Sequence, residues 1–120
     1  MDAFEITVAG NPSAARTQAQ QILGGKGFQL TWYDEWAASA EKGNAVKNAL
    51  LGSFAQHIKV DLRIMSGQDN QSIVRFDKSN KGYVGGAIGV HKVNKNMKQL
   101  RDEYSAATTQ AGTFVGVREQ

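Results

Sequence analysis

With 120 residues, 41% hydrophobic and 21% charged, the chain has the size and composition of one domain that can bury a core without disulfide or metal staples. It has no cysteine, which excludes disulfides, thiolate metal sites and a thiol nucleophile. The net charge of +3 arises from residues 75–101, where Arg75, Lys78, Lys81, Lys92, Lys95, Lys98 and Arg101 are set against Asp77 alone.

The chain begins Met-Asp-Ala-Phe-Glu, with neither a basic start nor a long apolar run, and so does not read as a secretory signal. No stretch approaches the roughly 20 apolar residues that a membrane span requires. The expectation is a soluble, cytoplasmic protein forming one domain over residues 1–120.

Phe4, Ile6 and Val8 alternate with Glu5 and Thr7, the period of a strand with one buried face. Asn11-Pro12 is a helix start: the Asn side chain can accept from a free backbone N–H, and proline suits the first helical position because its missing N–H is not needed there. Ala15, Ala19 and Ile22 continue at helical spacing until Gly24-Gly25. Phe28, Leu30 and Trp32 then alternate as a second strand, and Trp36, Ala38 and Ala40 as a third. Val46, Leu50 and Phe54 lie four apart, which predicts a short helix over 44–55 that could also serve as a lid or membrane-surface segment.

Ile58, Val60, Leu62 and Ile64 face one way, and His57, Lys59, Asp61 and Arg63 the other. Turn residues 66–70 join this strand to a returning one over Ile73–Asp77. From Val93 onward, Val93, Met97, Leu100, Tyr104, Ala107 and Ala111 repeat at spacings of four and three, predicting a helix from about Val90 to Ala111 that stops at Gly112. Phe114, Val115 and Val117 are either a final edge strand or a docked tail.

Candidate chemistry is sparse. Gly82, Gly85, Gly86 and Gly89 match neither the P-loop nor the dinucleotide-binding pattern, so they read as points of close packing or the mouth of a cavity. His57 and His91 have no metal-ligand spacing with another strong ligand, and no cofactor or metal is expected. His91 could act as acid or base because an unperturbed imidazole titrates near neutrality. Trp32, Tyr33 and Trp36, beside Asp34 and Glu35, could line a ligand pocket or simply pack the core.

The segment from Phe4 to Ser13, a strand followed by a proline-containing helix start, and the helical run from Lys92 to Ala111 together resemble the helix-grip fold of START and polyketide-cyclase-like proteins. The resemblance covers about a quarter of the chain. It implies an α+β fold in which an antiparallel β-sheet grips a long C-terminal helix, with two shorter helices, around an apolar cavity for a lipid, hormone or polyketide. The ligand-lining residues would then be Trp32, Trp36, Val93, Met97, Leu100 and Tyr104, and the protein would bind a hydrophobic or amphipathic small molecule without catalysis. In a cyclase version, His91, Tyr104 or Arg75 would position or protonate an enolic substrate. A third reading uses the basic 75–101 segment to reach an acidic partner or a membrane surface. Nucleic acid is not the expected partner.

Overall fold

The computed structural model describes residues 2–42, 58–78 and 87–120, and along 87–94 the backbone alone. The elements in chain order are β1 (Ala3–Ala9), α1 (Pro12–Gly25), β2 (Gln29–Trp32), β3 (Ala37–Lys42), β4 (Ile58–Ser66), β5 (Gln71–Lys78), α2 (Ala87–Ala111) and β6 (Phe114–Glu119). The strands form one six-stranded sheet in the order β2-β3-β4-β5-β1-β6, antiparallel at each neighbouring pair. The predicted helix over 44–55, His57, Lys81 and the glycines at 82, 85 and 86 lie outside the described residues.

Local chemistry sets the element ends. Asn11 is extended and its Oδ1 accepts from the Ala14 N–H at 2.8 Å, with Pro12 at the first helical position, so α1 starts where its free N–H groups have a partner. The β4–β5 hairpin closes through Gly67 N–H to the Gln71 carbonyl at 2.8 Å. Asp69 and Asn70 take φ of 50° and 58° in that turn, a conformation that these short polar residues tolerate better than most. Gly112, at φ 79°, ends α2 and donates to the Thr109 carbonyl. The third strand starts at Ala37 because the Asp34 carboxylate accepts from the Trp36 N–H at 2.7 Å and holds residues 33–36 in a turn.

The strand order dictates where the helices go. β1 and β2 run parallel with three strands between them, and β5 and β6 run parallel with β1 between them. α1 and α2 are therefore crossover connections, which are right-handed in nearly all proteins. The two crossings proceed in opposite directions from strands of opposite polarity, so a common hand places both helices on the same face. A single buried cluster agrees: Ala15, Ala19 and Leu23 of α1 and Met97, Leu100 and Tyr104 of α2 join Phe4, Ile6, Val60, Leu62, Val74 and Phe76 of the sheet. α1 packs on β2, β4 and β5, and α2 on β1 and β6.

This corrects the expectation of a sheet gripping one long C-terminal helix. The side chains described on α2 run from residue 95 to residue 111, and α2 shares its face of the sheet with α1. β6, inserted beside β1, follows it as the last element. Of the two shorter helices expected, α1 is present, and the one expected over 44–55 lies outside the described residues. The physical reason is that periodicity identifies the apolar stripe of a helix but not the strands that the stripe will cover. No described helix is long and apolar enough to cross a membrane.

Phe76 is the centre of the inner layer. Its ring stacks on Phe4 at 4.8 Å and meets the edge of Tyr104 at 5.0 Å, and all three are fully buried. Each such pair contributes about 0.5–1.5 kcal/mol beyond the area it buries. Phe76→Ala is expected to cost about 3–5 kcal/mol in urea unfolding, the usual range for an aromatic cavity. Val115→Ala on half-exposed β6 should stay within about 0.5 kcal/mol of the parent.

Candidate functional site

Alternation along each strand sends every second side chain to the face that carries no described helix, and the register arranges them in lines across the sheet. One line reads Ala37, Arg63, Arg75, Glu5 and Arg118, from β3 through β4, β5 and β1 to β6. The next reads Ser39, Asp61 and Asp77. Hence Arg63 lies directly opposite Arg75, and Asp61 directly opposite Asp77, although like charges facing each other across strands are destabilising.

Arg75 resolves its half of the conflict. Its guanidinium donates twice to Asp77, at 3.0 and 3.2 Å, once to Glu5 at 3.1 Å and once to the Gln120 side chain at 2.9 Å. Glu5, only 12% exposed, also accepts from Arg118 at 2.9 Å. The planar fork of arginine suits such a multidentate arrangement. Hydrogen bonds to Asp77, and next to Glu5, hold the Arg75 pKa above its ordinary value, so this residue is a permanent cation. Arg63 and Asp61 obtain no such relief: neither forms an ion pair with another described residue.

These side chains line an open groove of about 760 Å3, which also takes in Tyr33, Met65 and Lys78. Tyr33 is 64% exposed, the most exposed large apolar side chain among the described residues. It is held by its own N–H, which donates to the Ala37 carbonyl at 2.8 Å. Lys78 is paired with Asp2 at 2.8 Å, and that hydrogen bond, ahead of the charge on Lys78, draws the Asp2 pKa below the usual carboxylate value. The groove therefore offers one uncommitted guanidinium, Arg63, and one uncommitted carboxylate, Asp61, beside an exposed aromatic ring, with the paired charges of Arg75, Glu5 and Asp77 alongside.

The residues singled out in the sequence are divided between the two faces. Met97, Leu100 and Tyr104 are brought together in the core, and Trp32 and Trp36 pack against it half-buried. The backbone of Val93 and His91 belongs to α2, but their side chains lie outside the described residues. Arg75 sits on the opposite face: its neighbour Phe76 touches Tyr104, and the sheet separates Tyr104 from Arg75. The basic segment is partly neutralised within the fold, since Arg75 and Lys78 are paired and Arg101 bonds both Asp102 and Glu119, while Lys95 and Lys98 are exposed. Sequence reasoning placed Lys59, Asp61 and Arg63 on a wet face. It did not find the line of arginines, because that line exists only once the register of β4, β5 and β1 is known.

On the helix-covered side, the Tyr104 hydroxyl and the Trp32 indole N–H are buried without a hydrogen-bond partner among the described residues. Trp32 is covered by the Arg16 guanidinium of α1, 4.1 Å above its ring, a cation–π contact of about 0.5–2 kcal/mol. Burial alone pushes the Tyr104 pKa up from its ordinary 10.0. Above that pH the unfolded chain releases the phenolic proton while the folded chain keeps it, so stability is unaffected below pH 10.0 and falls as pH rises beyond it.

Tyr104→Phe should consequently raise stability by about 1 kcal/mol at neutral pH, because an unpartnered buried hydroxyl is removed with little change of shape. It should also flatten the alkaline loss, which for one tyrosine approaches about 1.4 kcal/mol per pH unit. Urea unfolding at neutral and strongly alkaline pH measures both effects; destabilisation by Tyr104→Phe at neutral pH would show that the hydroxyl makes a bond the fold needs.

Compared with known proteins, the chain matches no family model, and no curated sequence is significantly similar to it.

Proposed function

We propose that this chain is a binding module in which the sheet face without a described helix receives an acidic partner, a carboxylate-bearing peptide segment, in the groove between Tyr33 and Arg75. One observation carries the reading: Arg63 stands opposite Arg75, exposed and without an anion among the described residues, next to a largely exposed tyrosine. A fold that tolerates a local like-charge conflict commonly does so where function requires it. Arginine, tyrosine and methionine are the residue types enriched in protein interfaces, and Arg63, Tyr33 and Met65 supply one of each along the groove. An incoming carboxylate would neutralise Arg63, with Arg75 already held in place by Asp77 and Glu5.

A second reading has its own observation. The Tyr104 hydroxyl and Trp32 N–H, unpartnered among the described residues, belong to two of the residues expected to line a ligand site, and each is a donor that an acceptor oxygen of a hydrophobic or amphipathic small molecule could satisfy. Under this reading the ligand inserts between the sheet and the helix layer, and Met97 and Leu100 yield space for it.

A residue-resolved NMR titration separates the two. With a short polyglutamate peptide, shifts are expected at Tyr33, Arg63, Met65 and Arg75. They should weaken as salt rises, since exposed charges are screened over about 10 Å at 0.1 M ionic strength, and disappear in Arg63→Glu. An unperturbed open face at low salt would refute the first reading. With a fatty acid panel, shifts centred on Trp32 and Tyr104 that are lost in Tyr104→Phe would instead support the second.

A further inference from the structure

The sheet has two edges among the described residues, and they are treated differently. β2 is four residues long, and a short edge strand offers little for another chain to pair with. β6 runs for six residues, Phe114–Glu119, and two of the three exposed large hydrophobic side chains described, Val115 at 48% and Val117 at 45%, lie on it. Charges often guard such an edge, but here both are committed to neighbours within the chain: Arg118 to Glu5, and Glu119 to Arg101 of α2. No lysine or proline stands on the strand.

Gly116 adds an independent observation. A glycine inside a strand weakens it, and the usual reasons are a special backbone angle or the close approach of another backbone. Positive φ is confined to Gly10, Gly27 and Gly112 among the described glycines, so the first reason does not apply to Gly116. A Cβ at this position would meet nothing within 4 Å, so nothing packed against it in the single chain requires a glycine either. The β-bulge beside it leaves Val115 without a partner on β1 and available at the edge.

We propose that β6 pairs antiparallel with β6 of a second copy about a two-fold axis at Gly116, joining the two sheets into one. A strand edge is self-complementary under such an axis, because each copy presents the N–H and C=O groups that the other lacks. With Gly116 on the axis, Val117 comes opposite the partner's Val115, and Arg118 opposite the partner's Phe114. No charge then meets its own copy, whereas an axis at Arg118 would oppose two arginines. The axis thus brings the backbones together at the one residue without a side chain and covers both exposed valines.

Sedimentation of the full chain across the micromolar range is expected to show the mass rising from one chain to two. A Val115→Lys/Val117→Lys variant should remain a monomer with an unchanged circular dichroism spectrum, because both side chains are already half-exposed. A chain that stays monomeric at every concentration overturns the proposal, as does a dimer indifferent to the two lysines. The absence of cysteine provides a test of register: Gly116→Cys should form an intermolecular disulfide under mild oxidation, and Lys98→Cys on the exposed face of α2 should not. Equal cross-linking of the two variants would rule out the axis at Gly116.

Discussion

The handedness of two crossover connections governs the rest of the molecule. Each helix joins parallel strands that are not neighbours, and the right-handed twist of the chain allows one side of the sheet for such a connection. Because α1 leaves β1 in one direction and α2 leaves β5 in the other, both come to rest on the same side. Most of the apolar side chains on the strands then lie on that side, while the other side, which carries no described helix, holds the charged line together with Met65 and Ile73. The division of the sheet into a core face and a bare face is a consequence of topology, and the alternating side chains comply with it.

The two faces hold together by different physics. Beneath the helices, Phe4, Phe76 and Tyr104 form a continuous aromatic stack around which the aliphatic residues close, and the short side chains of Ala15 and Ala19 let α1 lie near the strands. Two buried hydroxyls are answered by backbone carbonyls: Ser72 donates to the Gly10 carbonyl at 2.7 Å, and Thr108 to the Tyr104 carbonyl at 2.9 Å. On the bare face the organising centre is Arg75, which ties β5 to β1 through Glu5 and reaches the C-terminal Gln120. Since Arg75 and its partners remain partly accessible, their contribution to stability is modest and screened by salt. Their clearer effect is geometric, because they fix a charged floor beside Arg63.

Groups that act together on one substrate must share a space, and the sheet lies between Tyr104 and Arg75. The open face combines an uncommitted guanidinium, an exposed ring and a thioether, residue types that are enriched in protein interfaces. The β6 edge is a separate matter: it exposes two valines, and its charges are paired within the chain, so it suits a second copy of the same strand.

Much of the local structure was legible in the residues. The Asn11-Pro12 start of α1, the period-two pattern of β1 and β4, the polar turn between β4 and β5, and the stop at Gly112 rest on interactions within a few positions of one another, and such interactions are written directly into the chain. The apolar stripe of Met97, Leu100 and Tyr104 was legible too, but not which strands it would meet, and the grip geometry expected of it gave way to two helices side by side. Register and strand order depend on pairings across long separations, such as Arg75 with Glu5 or Thr7 with Gly116, and local pattern does not encode them. The sequence by itself therefore determined most of the described elements and their inward faces, but left residues 114–117 open between an edge strand and a docked tail. Only the tertiary structure decided that three arginines would stand in one line, because that line is made by four strands from three distant parts of the chain.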